Sequence, residues 1–147
     1  MHMSFLVDIT KFCEKAKGNA DAVVRLTVLE MHNRLLERSP VGDADYWKSK
    51  PPPGYVGGHY RTNWQIGMDV CPTAEIEGVE SADITKTKGE AAVPKNAAGH
   101  VFYLANNVPY AIPIEDGHSR QAPKGVAGLT AMEFGGIVDK KAGEVNK

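Results

Sequence analysis

Residues 106–125, NNVPYAIPIEDGHSRQAPKG, crowd a carboxylate pair, a histidine, a serine and an arginine between prolines and glycines. Glu115, Asp116, His118 and Ser119 are the residue types that serve as base, acid and nucleophile. Such a set works only when the base reaches the hydroxyl at about 3 Å and a third group orients the base. Side chains this close in sequence point apart, and no G-x-S-x-G turn is present. As architecture the same residues are coherent. Pro109, Pro113 and Pro123 fix φ at three points. Asp116-Gly117 supplies a turn with positive φ. Ser119 and Arg120 offer hydrogen bonds, and Gln121 and Ala122 lead into Pro123. Tyr110, Ile112 and Ile114 provide apolar anchors at alternate positions. Residues 107–123 therefore read as a rigid connector.

On its C-terminal side the connector feeds a helix over 123–140, with Pro123 in the first turn. Val126, Leu129, Thr130, Phe134, Ile137 and Val138 give it an apolar stripe. The polar end, 141–147, reads as a frayed tail. On the N-terminal side, HVFYLANN is apolar on both faces, Phe102 and Leu104 on one and Val101 and Tyr103 on the other. That predicts a strand covered on both sides, either by helices on one face and a subunit on the other or by a curled sheet. Residues 83–99 read as an exposed mobile arm, and 73–80 as an antiparallel neighbour strand. In RTNWQIGMDV, Trp64, Ile66, Met68 and Val70 alternate with polar residues, a half-buried strand.

Further upstream, PVGDADYWKSKPPPGYVGGHY, residues 40–60, is a long irregular loop. It carries Tyr46, Trp47 and Tyr55, aromatic side chains of the kind that anchor interfaces. Val24, Val28, Met31 and Leu35 mark a helix over 20–38, stopped by Ser39-Pro40. A shorter helix from Asp8 to Lys17 precedes it, separated by Gly18-Asn19. The whole chain, 1–147, is expected to be one α+β domain. N-terminal helices and a C-terminal helix pack on a mostly antiparallel β-sheet with long loops.

Composition narrows the function classes. A formal net charge of -1 gives no global field to attract nucleic acid. Lys86, Lys88 and Lys95 form only a sparse basic cluster, the pattern of solvated surface. Cys13 and Cys71 fit no disulfide framework and read as two reduced thiols. His32, His59, His100 and His118 occur singly, without metal-ligand spacing. No cofactor, metal or membrane span is expected. The N-terminal MHMSFLVDITKF lacks the basic and long apolar regions of a signal peptide, which predicts cytoplasmic synthesis.

The run YAIPIEDGHSRQAPKGVAGLTAMEF resembles the signature of the tail-completion or head–tail joining proteins of long-tailed bacteriophages, a family of neck and minor tail proteins. The matching positions are Tyr110, Ala111, Glu115, Gly117, Ser119, Ala122, Pro123, Gly125 and Val126. Ser39-Pro40-Val41, and the Gly-x-x-Arg-x-x-Trp pattern from Gly58 to Trp64, fit it too. The chain departs from the family in the long insertion DADYWKSKPPPGYVG. The resemblance implies a virion protein that does no chemistry. It would assemble as a homo-oligomeric ring, commonly of six subunits. Head-completion or connector proteins would lie on one side, and tail-tube or tail-terminator proteins on the other. Two other readings stand beside it: a small metal-dependent hydrolase or nuclease using Glu115, Asp116 and His118, and a monomeric peptide-binding module.

Under the first reading, Tyr46, Trp47 and Tyr55 contact partners. Deleting residues 44–56 is then expected to leave a folded protein, by circular dichroism and thermal melting, that no longer joins heads to tails. Infectious particles assembled with the deletion variant would refute that role.

Overall fold

The computed structural model describes residues 2–42 and 57–146, the side chains of residues 2–14 excepted. The fold is α+β. It comprises α1 (His2–Arg38), α2 (His59–Thr62), β1 (Gln65–Met68), α3 (Ala82–Ala92), β2 (Phe102–Ala105), α4 (Ala111–Glu115), α5 (Ala127–Met132) and α6 (Phe134–Val145). The loop aromatics Tyr46, Trp47 and Tyr55 lie outside the described residues.

The first helix is the spine against which α3, α5 and α6 pack. It runs unbroken through Gly18-Asn19, where the sequence predicts a break, and begins before Asp8. A glycine in a helix interior costs only about 1 kcal/mol, and tertiary contacts outweigh that here. Asn19 donates to the Asn146 side chain at 3.1 Å. Asp21 accepts the Ala98 N–H at 2.9 Å. Arg25 donates to the Val93 carbonyl at 3.2 Å. The buried face is Thr27, Val28, His32, Leu35, Leu36 and Ser39, whereas Met31 is only half-buried. It is wider than the stripe the sequence predicts because two layers cover it. Leu35 and Leu36 join Tyr60, Trp64, Val108, Ala122 and Val126 in one cluster. Val28 joins Val93 and Ala97 in a second.

The helix expected over 123–140 is two helices, α5 and α6, meeting at Glu133. Arg34 and Arg38 of α1 both form ion pairs with Glu133. These pairs fix one end of α6 near the C-terminal end of α1. The Asn19–Asn146 bond fixes the other end near residue 19, so α6 runs antiparallel to α1. The segment expected to fray is helical to Val145 for this reason. Ile137 is buried along the seam.

Residues 82–92, expected as part of a mobile arm, form α3. Ser81 caps it, its hydroxyl accepting the Ile84 N–H at 3.2 Å. Its inward stripe is Thr85 and Gly89, so no hydrophobic period marks it in the sequence. Small residues let α3 approach α1 closely. A β-carbon on Gly89 would lie 2.6 Å from His32 Nδ1. His32 is 1% exposed, and its Nε2 lies 3.0 Å from the Trp64 carbonyl. Burial holds its pKa below the ordinary value, although the Trp64 bond works the other way.

The sheet has two antiparallel strands, with Ile66 opposite Leu104 and Met68 opposite Phe102. Residues 73–80 are not a third strand. They form a strap beside α2 and β1, held by side chains in place of a backbone ladder. The Asn63 amide pairs with Ile76 in both directions, donating to its carbonyl at 3.0 Å and accepting its N–H at 2.7 Å. Thr62 Oγ1 accepts the Glu80 N–H at 2.9 Å. Gln65 and Asn107 donate to the Ala74 carbonyl. Side-chain amides carry the donor and acceptor of a peptide group and take its place here.

Replacing Gly89 by Ala is expected to destabilise the protein by about 1–3 kcal/mol, because His32 is fully packed and cannot retreat. Urea unfolding of the two proteins measures it. An unchanged midpoint would mean that the α1–α3 contact is looser than this geometry.

Candidate functional site

The residues singled out between 106 and 128 converge on the Glu115 carboxylate. Glu115 ends α4. Its Oε1 accepts the N–H groups of Val126 and Ala127 at 2.9 and 2.8 Å, and its Oε2 accepts that of Gly128 at 3.0 Å. These are the donors that a helix start leaves without intrahelical partners. A side chain eleven to thirteen residues upstream therefore caps α5. This is also why α5 begins at Ala127 and not at Pro123, which lies in a turn. Partial burial opposes the ionised form, but the three N–H bonds outweigh it and hold the carboxyl below its ordinary value of 4.5.

The two motif glycines make room for this clamp. Gly117 has φ +88° and Gly125 φ +82°, a region that favours glycine. A β-carbon on Gly117 would meet the Pro123 carbonyl oxygen at 2.4 Å. One on Gly125 would meet the Glu115 carbonyl oxygen at 2.6 Å. Ser119 accepts the Gln121 N–H on its hydroxyl at 3.3 Å, and its carbonyl accepts the Ala122 N–H. Ala122 and Val126 are buried in the core, and Ala111 and Ile114 pack against it.

Other expectations for this stretch change. Tyr110, Ile112 and Ile114 do not act as alternating anchors, because residues 111–115 are helical. Ile112 is 74% exposed, while Ile114 turns inward. Gln121, read only as a spacer, ties the connector to the end of α1. It accepts the Val41 N–H at 2.9 Å and donates to the Val41 carbonyl at 2.7 Å. A cleft of 290 Å³ between these segments is lined by Arg38, Ser39, Gln121 and Lys124 among others. Its Arg38 is already committed to Glu133 and Thr130.

The hydrolase arrangement is not assembled. Glu115 is engaged by backbone, and Asp116 and His118 are exposed. Among the described residues no hydrogen bond joins the His118 ring to Glu115, Asp116 or Ser119. No group of three or more His, Cys, Asp or Glu side chains among them is placed to hold a metal. His59 and His100 instead sit against single carboxylates, Glu75 and Asp69. Of the lysine cluster, Lys88 is paired with Glu80. Cys71 is an exposed free thiol. Among the described residues no helix is long and apolar enough to cross a membrane.

The other surface of interest is β2. Phe102 and Leu104 lie on the face packed on the core clusters. Val101 is 56% exposed and Tyr103 39%, and neighbouring Val70 is 74% exposed. Among the described residues this second face is left exposed at Val101 and Tyr103, while Pro72 lies over Gly67 opposite Tyr103. Asp69 N–H donates to the Val101 carbonyl at 2.7 Å. By antiparallel alternation, the N–H and C=O groups of Phe102 and Leu104 point away from β1, along an edge that no further described strand pairs.

Compared with known proteins, the chain matches no protein-family profile, no curated protein and no solved structure.

Replacing Glu115 by Gln keeps one acceptor oxygen and removes the charge. A loss of about 1–2 kcal/mol is expected, the scale of a lost helix cap. Folding lowers the pKa of this carboxyl, so its contribution is complete above the unfolded-state value. It disappears as pH falls through the folded-state value. Chemical denaturation across acid pH should show the wild type losing stability more steeply than Glu115→Gln. Parallel curves would remove Glu115 as the source.

Proposed function

We propose that this chain is a structural subunit of a tailed bacteriophage. In this reading it is a tail-completion or neck protein that assembles with copies of itself into a ring joining tail to head. The observation that carries the reading is the part of the sheet left exposed among the described residues. On β2, Phe102 and Leu104 pack on the core, whereas Tyr103 and neighbouring Val101 stay exposed, and no further described strand pairs its outer edge. A second copy adding a strand or laying apolar side chains there would satisfy both. A ring needs two different patches that meet head to tail, and an open edge with an adjoining apolar face is one such patch.

Two further features support it. The motif shared with the neck proteins is spent on bracing: Glu115, Gly117 and Gly125 interlock to hold the connector rigid. Rigidity lowers the entropy lost on docking. Gly42 and Gly57, which bracket the insertion, also lie so close that a β-carbon on Gly57 would be 1.9 Å from the Gly42 carbonyl oxygen. Insertions at such a junction are tolerated by the body. Tyr46, Trp47 and Tyr55 are carried by that insertion. Six subunits, a virion location and the flanking head and tail partners follow from the resemblance and belong to the same proposal.

Light scattering combined with a head-to-tail joining assay tests it. The wild type should form species at a multiple of 15.9 kDa, alone or on tails. Val101→Lys and Tyr103→Lys should fold normally, remain monomeric and join poorly. Full joining by both lysine variants would defeat the reading. So would a wild type that stays monomeric and never binds tails.

A further inference from the structure

The strap contains one contact that is chemically unlike the others. His59, the first residue of α2, has an oxygen acceptor at each ring nitrogen. Nδ1 lies 2.6 Å from the Gly78 carbonyl oxygen, and Nε2 lies 2.8 Å from Glu75 Oε1. A carbonyl and a carboxylate only accept. A neutral imidazole has one N–H and one lone pair, so it can satisfy one of these oxygens and must turn the lone pair on the other. Only the imidazolium donates to both.

We propose that His59 is a proton-operated latch, holding Glu75 and residues 77–79 of the strap against the start of α2 when protonated and releasing them when neutral. Apart from the Lys88–Glu80 ion pair at its far end, the remaining strap contacts carry no titratable donor. Asn63 holds Ile76, Thr62 holds Glu80, and Gln65 and Asn107 hold Ala74. Release is therefore confined to the tip around Glu75 and residues 77–79. There Val79 Cγ1 lies 3.2 Å from the position a Gly58 β-carbon would take.

The surroundings of the ring favour the charged form. Glu75 faces it from the strap. The Tyr110 phenol ring faces it from the start of α4, with centroids 6.4 Å apart. Arg61 is on the same short helix, its Nη2 lying 3.6 Å from that Gly58 β-carbon position. Farther along the strap, Glu77 is exposed and Glu80 is paired with Lys88. The Glu75 bond, then the Gly78 bond, raise the imidazole pKa above its ordinary 6.5. Because folding raises it, the latch contributes fully below the unfolded-state value, and the contribution is lost as pH rises through the folded-state value.

Backbone 13Cα relaxation reads the latch directly. Order parameters at Glu75 and residues 77–79 of the wild-type chain should fall from about 0.85 to below about 0.6 between about pH 6 and pH 8.5, while α1 and α6 stay unchanged. Glu75→Gln supplies the discriminating variant. Its amide can donate to the unprotonated Nε2 while Nδ1–H stays on Gly78, so its strap should remain closed at the higher pH. Equal wild-type order parameters at both values would overturn the proposal. So would a Glu75→Gln variant that keeps the wild-type dependence, or a His59 ring that titrates at or below 6.5 by NMR. None of these outcomes depends on the oligomeric state or on phage assembly.

Discussion

One carboxylate organises the C-terminal half of this protein. Without Glu115, three N–H groups at the start of α5 would need water or another acceptor, and nothing else would define where that helix begins. Its clamp also sets the spacing between α4 and α5, which places Ala122 and Val126 in the core beside Leu35, Leu36 and Trp64. From there α5 leads to Glu133, which Arg34 and Arg38 hold against α1. Position along the chain is thus passed from a carboxylate to a helix start, and from that helix to an ion-paired bend.

The same economy recurs in the strap. Asn63, Thr62 and Gln65 perform the pairing that a third strand would have performed with its backbone. Three polar side chains of one short stretch, HYRTNWQ, are thereby used in structure. They leave His59 as the one member whose pairing depends on its proton. The acidic clamp and the histidine respond to pH in opposite directions and sit on different elements.

Much of the architecture is legible in the sequence where hydrophobic period is the governing signal. The helix over 20–38 and the strand at Phe102 are of this kind, as is the middle of the strand read over residues 61–70, whose first residues belong to α2 and whose Val70 is exposed. What is not legible is governed by other terms. The α3 stripe consists of Thr85 and Gly89, whose value lies in smallness and not in hydrophobicity. The Gly18-Asn19 break is overridden by contacts to Asn146 and Ala98, which no local window contains. The division of α5 from α6 depends on a carboxylate far upstream and on two arginines of α1. The motif residues of the connector are recognisable as a group, and Asp116-Gly117 as a turn. The partner of Glu115 is not, because a carboxylate that caps a distant helix leaves no pattern at its own position.

The near-contact of Gly42 and Gly57 has a consequence for how this chain can change over time. Two points that already touch can be joined by segments of very different length, because the closure cost grows only slowly with the number of residues between them. Selection can therefore lengthen, shorten or rewrite the intervening segment while leaving the spine, the clamp and the strap alone. A lineage facing a new neighbour would have one address at which to vary, and a body free to stay as it is.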